Sequence, residues 1–470
     1  MSEYTMTIGG AAVAGTASFD VANPATNAVH ARAPECSRDE LEAAMSAARA
    51  AFPAWRADEA ARREALSAAA KVLKEAAADL GALITAEQGK PLREARYEAL
   101  AGESWLRYHA SLELLREVIQ DDERAFVEVV TRPLGVVAAI TPWNFPVSSA
   151  CMKIAPALLA GNTVVLKPSP FTPLATLRLG ELLRSAFPPG VLNVVSGGDA
   201  LGARMTEHPA VRKITFTGSV ATGKRVASAA APDLKRITLE LGGNDPAIVL
   251  DDADVDAVAD GIFWSSFANA GQICSAIKRV YVPRSLHGAL VDALADRARR
   301  VVVGDGTEKG TQLGPITTRP QFERVRELVE DALARGARAA AGGAPLEGPG
   351  NFFAATVLTD VEDGTRIVDE EQFGPALPVV AYRDLEDAIA RANGTHFGLD
   401  ASVWSADPER AAQVASRLEC GTAWINTHLV QGPAQPFGGR KWSGIGVENG
   451  PWGLAGFYEL QTLYRARARR

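Results

Sequence analysis

The sequence predicts an α/β protein built on two parallel sheets. Three observations carry this. Short, continuous apolar runs such as Val136–Ile140 and Thr163–Lys167 have the form of strands buried on both faces. Segments of helical period separate them at short spacing, as in a βαβ sheet. A chain of 470 residues, at roughly 150 per domain, leaves room for about three units.

The elements follow in order. Residues 18–30 hold Pro, Asn and Thr and read as turns between short strands. Residues 38–115 are helical in period. Ser37 is the expected N-cap, with Glu40 three residues on as its capping-box partner. Residues 117–133 alternate like strands. After the strand at 136–140 come a helix at 151–160, a strand at 163–167, a helix at 174–186 and a strand at 191–195. A helix at 199–206 and the strand at 213–217 follow. A second alternation begins near Leu241 and runs to about 450, with a Gly/Pro-rich loop at 342–350. The strands at 117–133 and the C-terminal segment belong to neither unit.

Composition excludes several classes. The chain is 47% hydrophobic and 22% charged, an ordinary globular balance. A net charge of −7 argues against attraction to nucleic acid or an anionic membrane. The basic tail at 465–470 reads as a solvated end. No apolar run is long enough to span a bilayer, and the N-terminus lacks the pattern of a signal peptide. The four cysteines, Cys36, Cys151, Cys274 and Cys420, form no CxxC or Cys/His cluster. That points to a reducing, cytoplasmic setting and to no metal site.

Four motifs for phosphate, calcium or nucleophile sites fail. Two Gly-rich stretches, 304–310 and 444–450, miss GxGxxG by one position. Residues Gly218–Arg225 resemble a Walker A loop, but Arg225 replaces the hydroxyl that would ligate Mg²⁺. A Gly turn from strand into helix there still offers backbone N–H groups to a phosphate. Asp252–Asp256 opens like a calcium loop, yet Ala257 and Phe263 stand where Gly and Glu are needed. There is no GxSxG.

One thiol has chemically apt company. Cys274 sits in a Gly-containing turn, which favours exposure over a place on an apolar face. Glu240, between Leu239 and Leu241, is a carboxylate at risk of burial, which raises its pKa toward that of a useful base. Asn144 follows a buried strand, at the end of such sheets where ligands bind, and its amide could donate to an oxyanion. Lys167 ends the next strand and could reach a ribose or phosphate. Glu371 could bind a second ribose. Each has a plain structural alternative: a core cysteine, an edge-strand Glu, a turn Asn, a charged strand end or a solvated acidic loop.

The segments PWNFP, NTVVLKPS, FTGS, LELGG, GQIC, EEQFGP and PFGG occur in this order over residues 142–439. Together they resemble the NAD(P)-dependent aldehyde dehydrogenase superfamily over nearly the whole chain. The resemblance implies a Rossmann-like cofactor domain (1–116 and 134–240) and a second α/β catalytic domain (241–450). It also implies a small β oligomerisation arm (117–133 and 451–470) in a homodimer or homotetramer. The implied partner is a small aldehyde, with no nucleic acid or membrane partner. By the same resemblance Cys274 is the nucleophile, and Asn144 holds the oxyanion with the Cys274 backbone N–H. Glu240 activates the water that hydrolyses a thioester. Ile140, Thr141, Pro142 and Trp143 would line the nicotinamide side, and Lys167 and Ser169 the adenosine side. Gly218 and Ser219 would meet the pyrophosphate, and Glu371 and Phe373 the nicotinamide ribose and ring. Leu241 is placed at the cofactor, and Gly223 as the helix-packing glycine beside it.

The sequence departs from the family's pattern in three places. Pro170 replaces a Glu that often binds the adenosine ribose, and it lacks both those acceptors and the charge that would repel a 2′-phosphate, which opens the cofactor preference; NAD is the expected cofactor, with NADP possible. Ile273 and Ser275 flank Cys274, so no vicinal disulfide can form. The loop before Phe437 carries His428 and Gln431, which suggests a substrate with a polar or anionic tail. Phe145, Trp105 and Phe437 could add an apolar wall. A CoA-acylating dehydrogenase is the alternative, but members of that type usually lack the base that Glu240 supplies.

Overall fold

The computed structural model describes residues 4–467; the ends of the chain, including the last three residues of the basic tail, lie outside them. Two mainly parallel sheets form, as the apolar runs predict. The first has eight strands. Its parallel centre is ordered Arg236–Glu240, Val211–Thr217, Val136–Ile140, Thr163–Lys167 and Leu192–Val194. The chain winds outward from Val136–Ile140 to Leu192–Val194, then returns to lay Val211–Thr217 on the other side of Val136–Ile140. That reversal leaves a crevice beyond Ile140 and Thr217, the place where open α/β sheets take ligands.

The second sheet has seven strands. They run Arg338–Ala341, Thr356–Thr359, Ala376–Tyr382, Ile277–Pro283, Asp245–Val249, Asp400–Trp404 and Thr422–Ile425. Alternate residues of Asp245–Val249 point to opposite faces. Ile248 packs with Leu328 and Val403, while Ala247 and Val249 pack with Phe263 and Leu294. A third, antiparallel sheet joins Tyr458–Ala466, Ala125–Pro133 and Arg116–Asp121, uniting the two segments set apart in the sequence. No helix among the described residues is long and apolar enough to cross a membrane.

The helices show what local sequence encodes. Ser37 caps Arg38–Ala57 in a full capping box with Glu40. The long helical stretch that follows is cut into separate helices, with Asp58 capping the second and Gly89 ending the third at φ +100°. The helix expected at 151–160 starts earlier, at Pro146. Proline suits the first helical position, and the Glu98 carboxylate accepts the Val147 and Ser148 N–H groups there. A cap some 50 residues away leaves no local signature. The boundary at 450 is also corrected. Gly444–Ile445 pairs with Arg236–Glu240, and Leu454 and Phe457 join the first sheet's core. The chain therefore returns to the first sheet before residue 450, because Glu240 and Leu239 would otherwise lie on an open edge.

Candidate active site

A cleft of about 1300 Å³ runs between the ends of the two sheets. Cys274, Glu240, Asn144, Gly218, Ser219, Leu241, Glu371 and Phe373 all line it, brought together from five sequence segments. Pro142, Trp143, Phe145, Gln431 and Phe437 line it as well.

Strain marks the turn that carries the thiol. Asn269, Ala270 and Gly271 all have left-handed backbone, with φ of +51°, +53° and +72°. Ala270 bears the steric cost of that region. Gly271 permits it, since a Cβ there would lie 2.3 Å from the Gly374 carbonyl oxygen. Hydrogen bonds hold the shape. Gln88 Nε2 donates to Asn269 Oδ1 (3.0 Å), and the Thr317 N–H donates to Gln272 Oε1 (2.8 Å). Lys278 Nζ donates to the carbonyl oxygens of Ile273 (2.9 Å) and Cys274 (2.5 Å). Cys274 is half-buried, and burial pushes its thiol up to about 12. Cys36, Cys151 and Cys420 are buried and free.

Asn144 is buried, and its Nδ2 donates to the Gln272 carbonyl at 2.9 Å. Its own carbonyl accepts Lys90 Nζ at 2.8 Å. Lys90 in turn pairs with Glu98 at 2.6 Å, both wholly buried. One buried ion pair therefore fixes both the Asn144 loop and the helix after it.

Glu240 ends its strand 2% exposed, with neither carboxylate oxygen hydrogen-bonded. Burial first, and the Glu448 charge second, push its pKa well above the usual carboxylate range; Lys153 opposes them. Glu448 also lines the cleft and pairs with buried Lys153 at 2.6 Å. Lys90, Glu98, Lys153, Lys278 and Glu448 escaped the sequence reading. Lys153 had a visible signal, a lysine within an otherwise apolar helix. The others are meaningful only through contacts distant in sequence.

The residues expected to meet a cofactor divide. Ser219 caps Val220–Ala230, accepting the Thr222 N–H at 3.2 Å, so this helix begins at the cleft. Gly218 has no room for a side chain, since a Cβ would sit 2.5 Å from Phe216. A Cβ at Gly242 would lie 2.1 Å from Glu371 Oε2. These positions form a cradle of bare backbone at a helix N-terminus, which fits a pyrophosphate. Glu371 accepts the Gly243 N–H at 3.1 Å and faces Lys278 at 3.5 Å. Phe373 packs edge-on against Trp143. Ile140, Thr141, Lys167 and Ser169, expected to contact the cofactor, are buried and are not among the residues that line the cleft. Ile140 pairs with Lys167, and Thr141 N–H donates to the Lys167 carbonyl at 3.0 Å. Burial lowers the Lys167 ammonium to about 8. Gly223 packs its helix on Leu241, where a Cβ would be 2.5 Å from Leu241 Cδ2.

One expectation is corrected. His428 does not line the cleft. It is buried, stacked obliquely on Trp424, and its Nε2 donates to the Ser275 carbonyl at 2.7 Å. Burial lowers its pKa to about 3, so it is neutral and braces the thiol's turn from behind. Gln431 does reach the cleft, and its Nε2 donates to Ser275 Oγ at 3.3 Å.

This chain matches the aldehyde dehydrogenase family over residues 12–463. The chain belongs to that family. It is 40% identical to succinate-semialdehyde dehydrogenase [NADP(+)] of Escherichia coli K12, over 95% of this chain and 94% of that protein. It is likewise 40% identical to glutarate-semialdehyde dehydrogenase of Pseudomonas putida, over 94% and 93%. Among solved structures, the NAD⁺ complex of aldehyde dehydrogenase from Bacillus cereus superposes with a TM-score of 0.96 at 38% identity, covering 99% of this chain and 96% of that one. Betaine aldehyde dehydrogenase from Staphylococcus aureus, in complex with NAD⁺, gives 0.96 at 34%, covering 100% and 96%. The enzyme is thus an oxidoreductase that oxidises an aldehyde to a carboxylic acid with NAD(P)⁺.

Proposed function

We propose that Cys274 is the nucleophile of this oxidation and Glu240 the base that completes it. The single observation that carries the assignment is a half-buried thiol sharing one cleft with a buried carboxylate whose two oxygens have no partner. A thiol held at about 12 has to lose its proton as it attacks. The raised carboxylate of Glu240 is matched to activating the water that hydrolyses the thioester afterwards. Sulfur adds to the aldehyde carbon, and the carbonyl oxygen becomes an oxyanion. Asn144 Nδ2 and the Cys274 backbone N–H donate to it. Nicotinamide, when bound, accepts the hydride that the aldehyde carbon loses. The thioester left on Cys274 is hydrolysed as Glu240 takes a proton from water, which frees the acid and the thiol.

Gly218, Ser219 and the first turn of Val220–Ala230 would hold the pyrophosphate. Glu371, Trp143 and Phe373 would flank the nicotinamide. NAD⁺ is our choice of cofactor, with NADP⁺ possible, since Pro170 leaves the adenosine-ribose contact open. Buried Glu240 favours hydrolysis over transfer to CoA. The four unpaired cysteines suit a cytoplasmic setting. The test is to feed aldehyde with each cofactor, with and without CoA. Free acid should form at one per cofactor reduced, faster with NAD⁺. Acyl-CoA as the main product, or a strong NADP⁺ preference, contradicts the corresponding part.

We also infer a homodimer or homotetramer joined through the three-stranded sheet. Tyr458–Ala466 is that sheet's edge, with Leu460 and Tyr464 exposed, and such an edge needs cover.

A further inference from the structure

We propose that the substrate is a neutral aldehyde with an apolar body, and that an aldehyde carrying a carboxylate tail is excluded. This rests on the function proposed above and deepens it. The cleft that holds Cys274 has an apolar wall of Phe145, Met152, Trp105, Trp264, Leu429 and Phe437. They come from separate elements: Trp105 from helix Leu92–Ser111, Met152 from Pro146–Leu159 and Trp264 from Val255–Phe267. Aromatic rings and a flexible thioether make a surface suited to apolar ligands.

The charges around this wall decide against an anion. Lys90 lines the cleft, but its Nζ is held by Glu98 Oε2 and the Asn144 carbonyl. Arg324 is paired with Glu370. The remaining lining cations, Arg93 and Arg96, are exposed to solvent on helix Leu92–Ser111. The same cleft is lined by acids: Glu240, whose oxygens have no partner, and Glu448, held by Lys153 and the Thr215 hydroxyl. His428, the one ring that could have become cationic near the nucleophile's turn, is neutral and turned away. A carboxylate in this wall would lose its water and share the cleft with the acids Glu240 and Glu448, and among the described lining cations only the solvent-exposed Arg93 and Arg96 carry no ion pair. The polar groups that remain, such as Gln431 and Ser149, suit a carbonyl or hydroxyl. Two relatives at 40% identity are named for semialdehydes that bear a carboxylate. The inner wall of this enzyme supplies that group with no partner.

The test uses two aldehydes of one length, pentanal and 5-oxopentanoate, with the whole wild-type enzyme and saturating cofactor. The expected kcat/KM for pentanal exceeds that for 5-oxopentanoate by about 100-fold or more, the scale of an unpaired buried charge. Equal rates, or a preference for 5-oxopentanoate, would overturn the inference while leaving the aldehyde dehydrogenase reading intact. Turnover of neither, and of no other aldehyde with either cofactor, would overturn both. A Met152→Lys variant adds a cation to the wall. It should lower kcat/KM for pentanal and raise it for 5-oxopentanoate; a fall in both by the same factor counts against the wall as the selecting element. If that variant does not fold, the wild-type ratio alone decides.

Discussion

At the scale of single residues, the site depends on groups kept away from their ordinary protonation. Glu240 is held up by burial and by Glu448. Replacing Glu448 by Gln removes the like charge and leaves the Lys153 cation facing Glu240. Both changes favour the carboxylate, so the pKa of Glu240 falls. The acidic limb of a hydrolysis-limited pH–rate profile should therefore move to lower pH; a move to higher pH contradicts this assignment. Asn144→Ala removes one oxyanion donor and should lower kcat by about 10²–10³ with little change in cofactor affinity. Steady-state kinetics would check both limbs of that statement. Much at this scale was legible in the sequence. Cys274 and Glu240 each carry a plain structural alternative in the sequence, and it is the ordered set of motifs, by resemblance, that singles them out. His428 is expected to be a substrate contact because the resemblance places its loop at the substrate mouth. Only the fold shows that its partner is the Ser275 carbonyl.

At the scale of elements, the placement of Asn144 depends on one buried ion pair. Glu98 caps helix Pro146–Leu159 and pairs with Lys90, which anchors the loop before that helix. In Lys90→Met the Glu98 charge is buried without its cation, and the protein should lose about 3–5 kcal/mol. Urea unfolding measures this, and a loss below about 1 kcal/mol contradicts the role given to the pair. The strands were legible because burial on both faces writes itself as an apolar run, as in Val136–Ile140. The early start of helix Pro146–Leu159 was not, because its cap comes from another helix. The pairing of Gly444–Ile445 with Arg236–Glu240 was hidden for a similar reason: two residues of glycine and isoleucine carry no strand pattern.

At the scale of the whole molecule, the two sheets supply different halves of one reaction. The first offers a helix N-terminus and a topological switch point; the second presents the strained turn bearing the thiol. The third sheet stands apart from this chemistry, and its long exposed edge is the reason an assembly is expected. Deleting residues 458–470 should lower the solution mass to that of a single chain by light scattering; an unchanged mass places the interface elsewhere. The central claim concerns the full cycle, a thioester made on Cys274 and released by Glu240. It is tested most directly by intact-mass spectrometry of Glu240→Gln mixed with aldehyde and NAD⁺. The account predicts a burst of about one reduced cofactor per chain, with the acyl mass retained on the peptide that holds Cys274. Steady turnover at the wild-type rate with no retained acyl group would contradict it.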